Sequence, residues 1–240
     1  MLYKIVQKLL LLRRHLKGRT LLFVHIGKCG GASLEKELRG SPLIQREYRR
    51  ILNVHIRKPP TSSTADYVIV VRNPIARALS AFNWRYYLTV EQQSQRRRFP
   101  GEYRILSKYG NLNNLAEALF EEGVLVEEVA NEFESVHHLR ENISFYLDEL
   151  LGSVKASQIF AVFTTEFLDQ EMQQILGSTP TNRVHEHKSR TSAHQNNLSD
   201  RAIKNLSRYL AADFQAVEEL CDMAEIEAVK RETLLRYRSF

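Results

Sequence analysis

A buried strand that runs into a glycine-rich turn and then a helix is the feature that most constrains this chain. Residues 20–26 (TLLFVHI) are apolar and rich in strand formers, which predicts a buried strand. A turn follows at residues 27–31 (GKCGG), and residues 32–38 (ASLEKEL) have helical character. Such a turn favours anions, because glycines let the backbone come close and the helix start presents N–H groups. Lys28 adds a positive charge and Ser33 a hydroxyl donor.

This turn differs from the nucleoside-triphosphate loop of the P-loop enzymes. That loop requires Ser or Thr directly after its Gly-Lys, and the hydroxyl binds Mg²⁺. Here Cys29 follows Lys28, so no metal ligand is supplied and a metal-free transfer is favoured over an ATP-dependent one. Taken alone, the turn is also compatible with a tight strand–helix connection that carries a solvated lysine.

A second motif follows a second buried strand. Residues 67–71 (YVIVV) show no alternation, as expected for a parallel strand covered on both faces. Arg72 comes at the strand end, Asn73 suits an N-cap and Pro74 suits the first helical position. An arginine fork and the hydroxyl of Ser80 on the next helix suit a second phosphate group. A sheet-capping salt bridge and a packing serine are the alternative.

Strands alternate with helices along the chain, which predicts an α/β fold with a parallel, doubly wound sheet in a single domain. A third buried strand is predicted at 158–163 (QIFAVF), and a last long helix, capped by Ser199, through Val217. The polar, basic residues 89–110 predict a long surface loop or an irregular excursion. Helical patterns are also present at residues 112–122, 126–140, 143–151 and 167–176. Ligands of such folds bind beyond the carboxyl ends of the strands, where both motifs fall.

The two motifs together resemble those of the PAPS-dependent sulfotransferases, where PAPS is 3′-phosphoadenosine 5′-phosphosulfate. The branch in question includes Golgi carbohydrate sulfotransferases and bacterial relatives, and a bacterial member is expected here. That family carries patterns close to HIPK[TC]GG[TS]S and VRDPxxRxxSxF, and this chain has HIGKCGGAS from His25 and VRNPIARALSAF from Val71. Gly27 stands where the family usually has proline, and Asn73 where it often has aspartate. Neither change removes a phosphate donor.

The resemblance implies a sulfotransferase fold, which is a P-loop-like parallel sheet flanked by helices. It also implies transfer of a sulfuryl group from PAPS to an acceptor hydroxyl on a carbohydrate or glycolipid, with release of PAP. The resemblance is specific over residues 20–88 and looser over 157–220. Residues 89–156, largely helical in pattern, are where acceptor specificity is expected.

Residue by residue, the resemblance implies that Lys28 bridges the leaving phosphate oxygen and the sulfuryl group. Arg72 and Ser80 would bind the 3′-phosphate. Lys188, in a late basic loop with Arg190, would close over the nucleotide, with a solvated loop as the alternative. No metal ion is implied. The 5′-phosphate would be held by backbone groups and one hydroxyl, from Cys29, Gly30, Gly31, Ala32 and Ser33.

The base that takes the proton of the acceptor is expected to be His55, which lies between the two motifs. Histidine is the commonest general base near neutral pH, and some carbohydrate sulfotransferases carry a base histidine in a similar place. A surface or packing histidine is the alternative. His25 is expected to be structural and Glu166 to fix a loop, while His137 and His138 remain as further candidates for the base.

The composition of the chain indicates which kinds of ligand and which cellular location to expect. The net charge of +6 and the pI near 9.3 favour anionic ligands. Cys29 and Cys221 lie far apart in the sequence, so we expect no disulfide framework, a reducing compartment and a cytoplasmic location. Residues 1–19 predict a basic helix that packs on the domain. Peripheral contact of this helix with a membrane is the alternative, since its apolar run is far shorter than a span requires.

Three other functions stay open from the sequence. A P-loop-type phosphotransferase is disfavoured by Cys29 and by the lack of an evident acid for a metal ion. A nucleic-acid-binding module could use the arginines at 96–98, but that run lacks interleaved aromatic residues, and no nucleic-acid partner is expected. A relative that binds nucleotide without turnover is disfavoured by the presence of Lys28, Arg72 and Ser80.

Overall fold

The computed structural model describes two segments of the chain, residues 19–178 and 197–238. Most of the predicted N-terminal helix and the predicted nucleotide contact Lys188 lie outside the described residues. Within the described residues, no helix is long and apolar enough to cross a membrane. The described chain divides into two compact units, the first made of residues 19–71, 146–178 and 220–226 and the second of residues 72–145, 197–219 and 227–238.

Strands and helices follow one another along both units. The strands are β1 (Thr20–His25), β2 (Arg50–Val54), β3 (Ala65–Val71), β4 (Phe120–Glu121), β5 (Val124–Leu125) and β6 (Ile159–Thr164). The first α-helices are α1 (Gly31–Gly40), α2 (Pro42–Glu47), α3 (Pro74–Tyr86), α4 (Glu102–Tyr109), α5 (Leu112–Ala118) and α6 (Glu127–Ser135). The later ones are α7 (Ile143–Leu151), α8 (Leu168–Leu176), α9 (Asp200–Tyr209), α10 (Ala211–Met223) and α11 (Ala228–Leu235). A π-helix spans Tyr87–Glu91, and 3₁₀ turns span Ala156–Gln158 and Thr165–Phe167.

The first unit is built on a four-stranded parallel sheet with the strand order β2-β1-β3-β6. This sheet confirms the predicted α/β class. The central strand β3 is buried along its whole length, as predicted for a strand covered on both faces. Helices α1 and α8 pack against β1 and β6 respectively. Strand β2 was not predicted, because as an edge strand it leaves Arg50 and Leu52 exposed and so lacks a continuous apolar pattern.

The second unit is helical and has its own apolar core. That core includes Phe82 of α3, Leu106 of α4, Phe133 of α6 and Leu206 of α9. The predicted cap of α3 is confirmed, because the Asn73 side chain accepts a hydrogen bond from the N–H of Ala76, at 3.1 Å. The strands β4 and β5 form a short antiparallel hairpin.

The surface loop predicted at residues 89–110 is confirmed only for residues 92–101, which form largely exposed turns, and is wrong at both ends. The π-helix runs to Glu91 and helix α4 begins at Glu102. The reason lies in a buried ion pair, in which the guanidinium of Arg85 lies 2.6 Å from the carboxylate of Glu102 and both side chains are almost wholly inaccessible. Because the two charges neutralise each other, Glu102 is buried although the charged sequence around it predicts a solvated segment.

Three helix predictions need different bounds, and the one over 126–140 ends at Ser135, the last residue of α6. The pattern predicted as a helix over 112–122 ends at Ala118, since the β4–β5 hairpin follows with Glu122 and Gly123 both at positive φ. The last long helix breaks at Leu210, whose backbone leaves the helical region and whose side chain is buried, so α9 and α10 are separate helices. Ser199 caps α9 as predicted, since its hydroxyl oxygen accepts from the N–H of Ala202 at 3.1 Å.

Candidate functional site

The glycine-rich turn after β1 has the backbone geometry of an anion-binding loop. Lys28 and Gly30 take left-handed conformations, with φ of 71° and 80°, and Gly31 is the first residue of α1. The N–H of Cys29 donates to the carbonyl of Ile26 at 3.3 Å and closes the turn. A left-handed residue followed by a helical one directs successive N–H groups toward one concave side, which is how backbone nests bind anions.

The N-terminus of α1 adds to this geometry. No side chain caps it among the described residues, because the N-cap position is Gly30. The first N–H groups of a helix have no partner within the helix, and the helix dipole places partial positive charge there. Lys28 is half-buried and Ala32 and Ser33 are exposed. The residues predicted to hold the 5′-phosphate are thus gathered around one solvent-accessible helix start.

Position 31 requires glycine because the ring of His25 lies very close to its backbone. A β-carbon at this position would lie well under 3.0 Å from Cδ2 and Nε2 of the His25 ring, closer than real β-carbons come to any neighbour. The His25 ring also stacks on Phe23 of the same strand, with centroids 5.5 Å apart. His25 was predicted to be structural, and its ring packs directly against the glycine-rich turn.

His55 lies directly against His25. Its Nδ1 is 2.8 Å from the His25 carbonyl oxygen, and the two rings stack with centroids 4.4 Å apart. A carbonyl oxygen can only accept, so in the neutral ring Nδ1 carries the hydrogen and Nε2 holds the lone pair. A lone pair at Nε2 is what a general base requires. In the first unit, His25 therefore contacts both the predicted base His55 and Gly31 of the predicted phosphate loop.

The environment of His25 keeps its ring neutral. Burial is the main cause that lowers the pKa of His25 to about 4, and the neighbouring His55 lowers it further. The carboxylate of Glu35 acts in the opposite direction. Glu35 is itself held by the amide of Asn53 and by the guanidinium of Arg39, at 2.8 Å. Above about pH 4, His25 is thus an uncharged ring beside the loop.

Thr165 is a site residue that the sequence analysis missed. Its hydroxyl lies 2.9 Å from the carbonyl oxygen of Cys29 and 3.2 Å from that of Val71, so it joins the loop to the end of β3. A β-carbon on Gly30 would come within 3.0 Å of Leu168 Cδ2, so the start of α8 also covers the loop. The available signal was a hydroxyl residue directly after a buried strand.

The carboxylate that visibly fixes the β6–α8 turn is Glu171. This buried side chain accepts hydrogen bonds from the backbone N–H of Thr164, at 2.6 Å, and from the Thr164 hydroxyl, at 3.1 Å. Glu166, which was predicted to fix a loop, lies exposed in the same turn. Glu171 therefore fixes this turn from within α8, and the role predicted for Glu166 stays a prediction.

The second motif belongs to the second unit. Arg72 follows β3 in the chain, Ser80 lies in α3, and both side chains are half-buried. Arg77, within the same motif, is buried and donates to the carbonyl of His138 at 2.8 Å and to that of Glu141. The guanidinium of Arg77 therefore stabilises the chain after α6, which is a structural role.

His137 and His138, the further candidates for the base, also belong to the second unit. Their ring centroids lie 4.1 Å apart with the ring planes tilted by 34°, and His137 stacks on Phe99 with centroids 4.3 Å apart. Burial lowers the pKa of His137. Two of the arginines at 96–98 lie over aromatic rings, since Arg96 is 4.1 Å from the ring centroid of Tyr103 and Arg98 is 5.4 Å from that of Phe99.

Comparison of the chain with models of known protein families, with curated proteins and with solved structures finds no match. The functional argument therefore rests on the geometry of the loop, on the His25–His55 pair and on the two sequence motifs.

We predict that Gly31→Ala destabilises the protein by about 1–3 kcal/mol, because the new β-carbon forces the His25 ring out of a stack that leaves it little freedom. Gly40→Ala is the matched control, since nothing lies within 4 Å of a β-carbon there. Its stability should stay within about 0.5 kcal/mol of the wild type. Urea unfolding of the three proteins measures both changes. Equal stabilities for the two variants would show that the close approach is not rigid.

We also predict that His25 makes the fold sensitive to acid. A histidine whose pKa is lower in the folded state than in the unfolded chain binds fewer protons when folded, so stability falls as the pH falls through that window. The window runs from about pH 6.5 in the unfolded chain to about pH 4 in the folded one. As the pH falls through this window, the free energy of unfolding of the wild type should fall by about 1–3 kcal/mol more than that of His25→Phe. Parallel stability curves for the two proteins would contradict this.

Proposed function

We propose that this chain is a PAPS-dependent sulfotransferase, which moves a sulfuryl group to an acceptor hydroxyl on a carbohydrate or glycolipid and releases PAP. The observation that carries the proposal is the uncapped start of α1, with left-handed Lys28 and Gly30 before it and the Nε2 lone pair of His55 nearby in the same unit. The resemblance of the two sequence motifs to those of the sulfotransferases agrees with this geometry.

The donor requires two anion sites. In the proposal, the N–H groups at the start of α1 and the hydroxyl of Ser33 bind the 5′-phosphosulfate, as helix starts bind phosphates generally. Arg72 and Ser80 bind the 3′-phosphate, which distinguishes PAPS from ATP or AMP. Lys188 is a further proposed contact to the nucleotide. Because Cys29 replaces the hydroxyl residue that would hold Mg²⁺, the proposal includes no metal ion.

The proposed reaction is an in-line displacement at sulfur. The acceptor oxygen forms a bond to sulfur while the bond from sulfur to the bridging oxygen breaks, and the bridging oxygen leaves with the electron pair as part of PAP. The acceptor proton goes to Nε2 of His55. Lys28 stabilises the negative charge that develops on the bridging oxygen. Catalysis in such a transfer comes from positioning and charge stabilisation.

We predict that the protein binds PAP about 10- to 100-fold more tightly than AMP, since charge-assisted hydrogen bonds to the 3′-phosphate contribute about 1.5–3 kcal/mol. Isothermal calorimetry with the two nucleotides measures this. Arg72→Ala and Ser80→Ala should reduce the preference, whereas Arg97→Ala, at an exposed arginine outside the motif, should keep it. Equal affinities of the wild type for PAP and AMP would exclude PAPS as the donor.

We predict that Lys28→Met lowers kcat by about 10²–10³ while PAP binds with nearly normal affinity, because the lost interaction strengthens in the transition state. Methionine keeps an unbranched side chain and the same left-handed backbone cost, so the comparison isolates the charge. Lys28→Gly is the control for the backbone, since glycine tolerates φ of 71° without strain. It should show the same loss of kcat. Normal turnover in either variant would remove Lys28 from the mechanism.

We predict that His55→Asn lowers kcat by about 10²–10⁴ and leaves PAP affinity unchanged. Asparagine can still donate to the His25 carbonyl but offers no basic nitrogen. The same substitution at His137, in the second unit, is the control and should leave kcat close to that of the wild type. If His137→Asn loses turnover while His55→Asn keeps it, the base belongs to the second unit.

A further inference from the structure

His25, which has no role in the proposed mechanism, contacts both the phosphate loop and the proposed base His55. The ring of His25 lies against Gly31, at the start of the phosphate loop, so closely that no β-carbon fits between them. The same ring stacks on His55, with centroids 4.4 Å apart, and the His25 carbonyl oxygen accepts the Nδ1 hydrogen of His55. A single residue therefore contacts both the loop and the proposed base.

The ring of His25 is poorly suited to proton transfer itself. Its Nδ1 is buried and has no hydrogen-bond partner among the described residues, and its Nε2 edge faces Gly31. Burial holds its pKa at about 4, so it takes up no proton near neutral pH. The groups that face it are Phe23 on its own strand, His55 after β2, and Gly31 and Glu35 on α1. Its uncharged state also avoids repulsion with a protonated His55.

We propose that His25 is a positioning residue, whose ring holds the His55 imidazole in a fixed orientation relative to the phosphate loop. This proposal rests on the proposed function for its effect on turnover. The carbonyl of His25 selects the tautomer of His55, and the ring of His25 restricts how the His55 ring tilts and moves. A misplacement of about 1 Å in such an arrangement costs on the order of 10²-fold in rate.

The test compares His25→Ala with His25→Phe. Both variants keep the backbone carbonyl that accepts from His55, but only phenylalanine keeps a flat ring against Gly31 and His55. We expect His25→Ala to lower kcat about 10- to 100-fold, with the KM for the donor and the affinity for PAP changed about threefold or less. His25→Phe should recover most of the lost kcat. Thermal unfolding of both variants verifies that they fold.

A second readout follows the His55 ring directly. The NMR signal of the His55 Cε1 hydrogen, assigned by its absence in His55→Asn, should shift in His25→Ala as the stacked ring is lost. In His25→Phe a stacked ring remains, so the signal should stay displaced toward its wild-type position. This readout needs neither donor nor acceptor.

The outcomes separate the two proposals. If the wild type neither binds PAP nor transfers sulfuryl groups, the proposed function fails, and the NMR comparison still decides whether His25 orients His55. An unchanged His55 signal together with normal kcat in His25→Ala would overturn the positioning role. If His25→Phe is as slow as His25→Ala, the nitrogens of His25 matter rather than its shape, which also overturns the proposal.

Discussion

The parallel register between β1 and β2 is the constraint on which the candidate site depends. Val24 lies opposite Val54, so the next residues of the two strands, His25 and His55, emerge side by side at the carboxyl edge of the sheet. Thirty residues separate them in sequence, yet their rings stack and the carbonyl of one accepts from the other. A shift of register by one residue would send one of these side chains to the opposite face.

The loop depends on this register in turn. Because His25 occupies the space beside the start of α1, Gly31 can only be glycine without moving the ring, and Gly30 is glycine for a different reason, its left-handed backbone. The hydroxyl of Thr165 then ties the carbonyl of Cys29 to the end of β3. Two residues thus contact the loop at the start of α1: His25, at the end of β1, packs against Gly31, and Thr165, directly after β6, hydrogen bonds to the Cys29 carbonyl.

The sequence predicted the parts of this arrangement that are local. The strand–glycine–helix order, the fully buried β3 and the caps Asn73 and Ser199 each follow from residue types within a few positions of one another. What it did not predict depends on partners distant in sequence. Strand β2 is half-exposed and shows its role only through pairing with β1, and the burial of Glu102 is favourable only because Arg85 reaches it. A charge pattern alone cannot distinguish a solvated residue from one neutralised in the core.

Three described non-glycine residues of the first unit have positive φ, and two of them, unlike Glu225, lie in or next to the candidate site. Lys28 and Ile56 both hold left-handed conformations, with φ of 71° and 55°, and for a β-branched residue such as Ile56 this is a true outlier. Each costs on the order of 1–3 kcal/mol, which glycine would avoid. Ile56 directly follows His55, its side chain is 61% exposed, and its N–H donates to the hydroxyl of Tyr146 at 3.2 Å. Stability alone would favour glycine at both positions, and in the proposed function the charge of Lys28 is the gain that offsets the strain at that position.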